Sequence, residues 1–186
     1  MLNAKEIKEE GLIVLDNAKG KFAQVGYDLS IKSISKLKGN GKVLKDKTIV
    51  NELEDIALNS EDNGWWLEPG TYDVTCNEGC KILSDTTGMV RQRSSLLRNG
   101  TIIASSIFDP GFYTDNIGTV MVVNERIFIE KDARIAQMYF HENVKAKTNY
   151  GRKVITKLFL QIKKNPKKYI NIKKYSNSNI DRIICD

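Results

Sequence analysis

The stretch GTVMVVNERIFIEKDARIAQMYF, residues 118–140, decides the fold class. It contains three short apolar or alternating runs, 119–123, 126–129 and 134–140, with Asn124 and Asp132 among the turn-forming residues between them. Runs of four to eight residues bounded by turn residues read as strands, because alternate side chains must face one core. Upstream, residues 26–34, 72–75, 89–93 and 101–108 repeat the pattern between Gly, Pro, Asn and Asp. Seven such runs predict an antiparallel all-β sandwich or barrel. Ahead of them, Asn3 and Glu6 form a capping-box signature and Gly11 suits a left-handed helix end, which predicts a short N-terminal helix. Residues 49–58 are ambiguous; Ile49, Leu53, Ile56 and Ala57 fit a helical face, and helix is the expectation there.

At 186 residues the chain is one domain with room for a small appendage, and it is long enough to bury a core without staples. Its 41% hydrophobic and 28% charged residues are ordinary for a globular protein, and no apolar run approaches a membrane span. Three cysteines (Cys76, Cys80, Cys185) make no disulfide framework and suit a reducing, cytoplasmic setting. A single histidine, His141, excludes mechanisms that need two imidazoles.

The net charge of +6 is unevenly placed. Residues 151–186 hold eight lysines, two arginines and two aspartates, a net +8, so residues 1–150 carry −2. The basic excess therefore belongs to a tail rather than to the main domain, and the division expected is 1–150 and 151–186. In the tail Val154, Ile155, Leu158, Phe159 and Ile162 recur at helical spacing among lysines, which predicts a basic amphipathic helix ending before Pro166. Such a helix packs by its apolar face, or serves as an arm for nucleic acid or a protein partner.

Four segments carry chemistry. They are Gly26-Tyr27-Asp28-Leu29; Arg91-Gln92-Arg93-Ser94-Ser95-Leu96-Leu97-Arg98-Asn99-Gly100; Asp109-Pro110-Gly111-Phe112-Tyr113; and Ala133-Arg134-Ile135-Ala136-Gln137-Met138. The second gathers guanidinium forks and hydroxyls, which suit the acceptor oxygens of a polyphosphate. The third sets a carboxylate at a Pro-Gly corner, where it can orient a water or hold a magnesium ion. Taken singly, each is more often an ordinary turn.

In this order and spacing the four resemble the hallmark motifs of the trimeric dUTPase and dCTP deaminase family, closest to its archaeal and phage-type dUTPases. Leu67-Glu68-Pro69-Gly70-Thr71-Tyr72 fits that family as well. The resemblance spans roughly residues 1–150. It implies a distorted jelly-roll subunit (a dUTPase-like β-clip), a homotrimer with active sites at subunit interfaces, and Mg2+ with a deoxyuridine nucleotide substrate. Carried over residue by residue, Asp109 orients the attacking water and Asp28 organises the site and its metal waters. Arg93, Ser94, Ser95, Arg98 and Gln137 match phosphate-contacting positions. The run 101–108, with Ser105, Ser106 and Ile107, matches the base-holding hairpin, and Phe112 beside Tyr113 matches the aromatic that packs on the deoxyribose.

Two departures matter. Deaminases of the family carry a glutamate on the strand after Asp-x-Gly. Here that position falls on Met121, so hydrolysis of dUTP to dUMP and pyrophosphate is expected over dCTP deamination or a bifunctional dCTP deaminase/dUTPase. A non-catalytic nucleotide- or protein-binding relative is the other alternative. The usual C-terminal Gly-rich closing motif is also missing, and Arg152, Lys153 or the tail lysines are the candidates for its charge. Cys76 and Cys80 read as turn cysteines rather than half a zinc site, Trp65-Trp66 as core or subunit contacts, and His141 as a surface or interface residue.

Overall fold

The computed structural model describes residues 1–143. In chain order the elements are α1 (Ala4–Glu9), β1 (Ile13–Val14), β2 (Lys21–Ala23), β3 (Gly26–Lys38), β4 (Lys42–Val43), β5 (Thr48–Ile49), β6 (Glu52–Asp55), β7 (Gly64–Leu67) and β8 (Gly70–Cys76). They continue with β9 (Gly79–Lys81), β10 (Thr86–Gln92), α2 (Ser94–Arg98), β11 (Thr101–Ala104), β12 (Tyr113–Thr114), β13 (Gly118–Val123), β14 (Ile127–Glu130) and β15 (Arg134–Glu142).

The capping box forms as the sequence requires: Asn3 Oδ1 accepts from the Lys5 and Glu6 amides, and Glu6 Oε2 accepts from the Asn3 amide at 2.7 Å. Gly11 follows at φ +62°. Ile7 seats this helix in the core.

The main sheet runs β10-β15-β3-β8-β13-β11, all antiparallel. β3 is its spine. It pairs with β15 and β2 over its first residues and with β8 and β6 over its last. Its inward residues Tyr27, Leu29, Ile31 and Ile34 pack with Val74, Met121, Ile135, Met138 and Phe140, all buried.

The two edges of the sheet meet through a bridge in which the Gly88 and Phe108 amides each donate to the other's carbonyl at 3.0 Å. A Cβ at Gly88 would stand 2.6 Å from Met138 Cε, so a larger residue here would have to push the ends of the Met138 and Ile82 side chains aside. The result is the nearly closed all-β, jelly-roll architecture expected.

Two expectations change. Residues 49–58 form no helix, because β5 pairs with β4 and β6 adds to the β3 edge. Ser35 Oγ donates to Asp55 Oδ1 at 2.7 Å and Lys38 meets Glu54 at 2.7 Å, cross-strand partners that an uncapped helix could not supply. Ile49 and Leu53, assigned to a buried face, are exposed. The run 101–108 is strand only through Ala104, and Ser105, Ser106 and Ile107 form an exposed loop leading to the Phe108 bridge. The tail helix and the domain 151–186 lie outside the described residues. Among the described residues no helix is long and apolar enough to cross a membrane.

Candidate active site

Asp28 lies on β3, where strand pairing puts Lys21, Asp28, Gln137 and Arg91 opposite one another across β2, β3, β15 and β10. Directly opposed residues share a sheet face, so the carboxylate sits in a row with two cations and an amide. β15 then adds a third cation. Its register shifts between Arg134, opposite Ser30, and Ala136, opposite Leu29, leaving Ile135 as the extra residue. This bulge turns Ile135 and Ala136 both inward and puts Arg134 and Gln137, three residues apart, on the Asp28 side. Arg134 Nη1 donates to Asp28 Oδ2 at 2.9 Å and Gln137 Nε2 to Oδ1 at 3.4 Å.

Arg93 completes the cluster. Its amide donates to the Ile135 carbonyl at 3.0 Å, which fixes the end of β10 against the bulge. Its Nε lies 3.6 Å from Asp28 Oδ2. The chain then turns into α2, a short helix where the sequence suggested only a turn. Leu96 anchors it in the core while Ser94, Ser95 and Arg98 face solvent. Asp28 is 6% exposed, so its negative charge is spent on holding two guanidinium groups in place.

A second carboxylate supports this floor. Glu78 is fully buried and accepts from the Lys19 amide (3.0 Å), the Gly20 amide (2.8 Å), the Ser30 amide (2.8 Å) and the Ser30 hydroxyl (2.7 Å). It thereby ties the 19–20 backbone, which leads into β2, to β3 two residues beyond Asp28. Tyr27, the residue before Asp28, has its phenol pushed up to about 12, chiefly by burial and then by Glu78 and Asp28.

Asp109 begins a tight turn. The Phe112 amide donates to the Asp109 carbonyl at 3.1 Å, with Pro110 second and Gly111 third at φ +81°, as a type II turn demands. The Asp109 side chain is exposed. Phe112 packs edge-on against Phe108, with ring centroids 5.5 Å apart, and Tyr113 Oη donates to Asp115 Oδ1 at 2.6 Å.

The fold therefore gathers Asp28, Arg93 and Gln137, with Ser94 and Ser95 next to them in sequence, into one group. Asp109, Phe112 and Tyr113 belong to another. Asp109 follows the Phe108 bridge to Gly88, and the Arg91 end of β10 is three residues away, about 10 Å along the strand. Between β10 and residues 102–107 lies a cleft of ≈ 260 Å³ lined by Arg91, Gln92, Ile103, Ser105, Ser106 and Ile107, among others.

Sequence reasoning missed Arg134, Lys21 and Glu78. Arg134 stood inside a recognised segment, but only the bulge reveals where it points. Nothing in the sequence ties Lys21 or Glu78 to Asp28. Met121 is buried between Tyr72 and Ile103. Cys76 and Cys80 are buried thiols; Trp65 is buried with Nε1 donating to the Ile56 carbonyl, while Trp66 is 49% exposed under Arg126. His141 is half-buried, edge-on to Tyr139.

Comparison with known proteins bears on the family and the fold. The dCTP deaminase-like family matches residues 2–143. A deoxyuridine 5′-triphosphate nucleotidohydrolase of Methanocaldococcus jannaschii is 35% identical over 124 residues, 66% of this chain and 79% of that protein. A probable deoxyuridine 5′-triphosphate nucleotidohydrolase of Archaeoglobus fulgidus is 29% identical over 141 residues, covering 73% and 82%. Among solved structures, a 2′-deoxycytidine 5′-triphosphate deaminase from Agrobacterium tumefaciens superposes with a TM-score of 0.52 at 15% identity. That match covers 75% of this chain and 47% of that one, so the chain spans about half the length of that protein. The chain belongs to the dUTPase and dCTP deaminase family.

Proposed function

We propose that this protein hydrolyses dUTP to dUMP and pyrophosphate. The observation that carries the reading is the convergence of Arg93, Arg134 and Gln137 on the buried Asp28 carboxylate. It prepays the cost of ordering two guanidinium forks, so a polyphosphate meets donors already in position. Ser94, Ser95 and Arg98 extend that surface along α2, and the exposed Lys21 and Arg91 flank it.

Asp109 orients a water toward the α-phosphorus and accepts its proton as the P–O bond to the pyrophosphate leaving group breaks. Such a base contributes on the order of 10²–10⁴ in rate. Asp109 and Asp28 stand apart within one chain, and a homotrimer in which one subunit's Asp109 faces its neighbour's Asp28 group brings them together. Phe112 and Tyr113 then lie beside the sugar.

The donor set bears on magnesium. Among the described residues no group of three His, Cys, Asp or Glu side chains is placed to hold a metal ion, and Asp28 Oδ2 already faces two guanidiniums. These residues do not fit a protein-held cation cage. Magnesium therefore enters as part of the substrate, the Mg2+–dUTP complex, and no step here runs through a metal bound to Asp28.

Deamination is the weaker reading, because Met121 stands where the deaminase glutamate is expected and packs in the core. Incubating the protein with Mg2+ and dUTP or dCTP, then resolving products, tests all three readings. Release of dUMP and pyrophosphate from dUTP is expected. Ammonia and dUTP from dCTP would favour the deaminase, and nucleotide binding without turnover the non-catalytic relative. Deleting residues 152–186 is expected to raise KM for dUTP; an unchanged KM removes the tail from the site.

A further inference from the structure

Strand β6 leaves one edge of the fold open. It pairs with β3 alone, and among the described residues nothing pairs with its other side. The Ile56 amide donates to the Ile34 carbonyl, so in this antiparallel ladder Glu54 and Glu52 turn their backbone groups to β3 while Leu53 and Asp55 turn theirs outward. All four residues of the strand are exposed. An open edge is a template for a further strand, and proteins ordinarily guard it with lysine, proline or a bulge. β6 has none of these; it reads Glu-Leu-Glu-Asp, three acids and one leucine in regular register. Beside it the β4–β5 hairpin leaves Val43 88% exposed, and Val50 after it is 80% exposed. Val43, Ile49 and Val50 face Leu37, Leu53 and Asp73 of the sheet across a cleft of ≈ 430 Å³.

We propose that this edge receives the chain's own C-terminal segment Lys167-Lys168-Tyr169-Ile170-Asn171-Ile172-Lys173-Lys174-Tyr175 as an added strand. That segment lies outside the described residues, and its sequence supplies what the edge lacks. It holds four lysines and no acid, and its isoleucines and tyrosines favour a strand. Laid beside β6, it meets Glu52, Glu54 and Asp55 as direct cross-strand neighbours, where opposite charges attract. A period of two sets Lys168, Ile170, Ile172 and Lys174 on one face and Tyr169, Asn171 and Lys173 on the other. With the isoleucines on the Leu53 side, they cover the apolar cleft and their flanking lysines stand near Asp55 and Asp73, which share that face. Lys173 then lies on the side of Glu52 and Glu54, of which only Glu54 already holds a lysine, Lys38 at 2.7 Å. A second copy of β6 does not suit the edge, because it would set acids against acids. The tail is also long enough. Asn143 follows β15 at the opposite end of β3 from β6, about 50 Å away along the strands. Residues 144–166 can extend to about 75 Å.

The test compares the full chain with one ending at Pro166, which keeps Arg152 and Lys153, by hydrogen exchange read at single amides by mass spectrometry. In the full chain the Leu53 and Asp55 amides are expected to exchange at least about tenfold more slowly than in the shortened one. The Val74 amide, on β8 in the core, should be equally protected in both, which shows that the shortened chain is folded. Equal exchange at Leu53 and Asp55 in the two chains overturns the proposal. In the full chain, Ile170→Asp with Ile172→Asp, and separately Lys168→Glu with Lys173→Glu, are each expected to restore fast exchange at these two amides. Slow exchange that survives both pairs of substitutions would mean that neither the cleft nor the acids select this segment, and counts against it. Mixing isotope-labelled shortened chain with unlabelled full chain identifies whose tail is bound. The labelled Leu53 and Asp55 amides are expected to stay fast; slow exchange there would show a tail reaching another copy, and overturns the own-chain assignment.

Discussion

Arg134 reaches Asp28, 2.9 Å from guanidinium nitrogen to carboxylate oxygen, because β15 carries one residue too many at Ile135. On a regular strand Arg134 and Gln137 would face opposite sides of the sheet, and only one of them could meet Asp28. The bulge gives both to the same acid. It also brings the Ile135 carbonyl to the Arg93 amide, so one irregularity helps position all three side chains that meet the carboxylate.

The pair is expected to act as a unit. Asp28→Asn and Arg134→Ala should each lower kcat/KM for dUTP at least a hundredfold and destabilise the fold by about 1–2 kcal/mol, a value discounted for the partly exposed arginine. The double variant should cost less than the sum of the two, with a coupling of about 1 kcal/mol or more in denaturant unfolding. Additive effects would mean that the contact does not bear on either property.

Asp109 offers the opposite profile. Its side chain is exposed, so Asp109→Asn should leave the urea midpoint within experimental scatter. Pyrophosphate release should fall by about 10²–10⁴, with KM little changed, because the amide fills the same space but cannot accept the water's proton. A variant that still turns over dUTP at the native rate would remove Asp109 from the chemistry.

How much of this was legible beforehand differs by element. The strands holding Tyr27, Val74, Val90 and Met138 announce themselves by alternation, and the helix at Ala4–Glu9 by Asn3 and Glu6, since these signals are local. Residues 49–58 misled because their apolar spacing is also local, while the partner that decides the outcome, the edge of β3, lies elsewhere in the chain. At the site Asp28, Arg93 and Gln137 were readable from motifs. The bulge at Ile135 and the burial of Glu78 were not, because each depends on which strands pair and in what register.

Buried thiols and a buried phenol set the alkaline limit. Burial pushes Cys80 from 9.0 up to about 12 and raises Cys76 further, while Tyr27 rises from 10.0 to about 12. The folded protein thus holds these protons more tightly than the unfolded chain does. Their contribution to stability is complete below about pH 9 and is lost as pH climbs from there toward 12. Urea midpoints should be flat from pH 7 to 8.5 and decline above it, by at most about 1.4 kcal/mol per pH unit for each thiol. Cys80→Ala should shallow the decline, and thiol labelling mapped by peptide mass should reach Cys76 and Cys80 only after unfolding. Rapid labelling of either in the native protein at pH 8 would contradict the assigned burial.

Glu78 tests whether the floor beneath the site is separable from the site itself. Its two oxygens accept four hydrogen bonds, from the Lys19, Gly20 and Ser30 amides and the Ser30 hydroxyl. Glu78→Gln keeps the shape but turns an NH2 group toward donors, so at least one amide loses its acceptor inside the core. The expected cost is about 2–4 kcal/mol. For a domain of this size that is a drop of roughly 5–15 °C in Tm. Because the 19–20 backbone leads into β2 and hence to Lys21 opposite Asp28, the variant should also raise KM for dUTP more than it lowers kcat. Below the new Tm, a KM equal to the native value would show that β2 keeps its register without Glu78, and that the buried carboxylate serves stability alone.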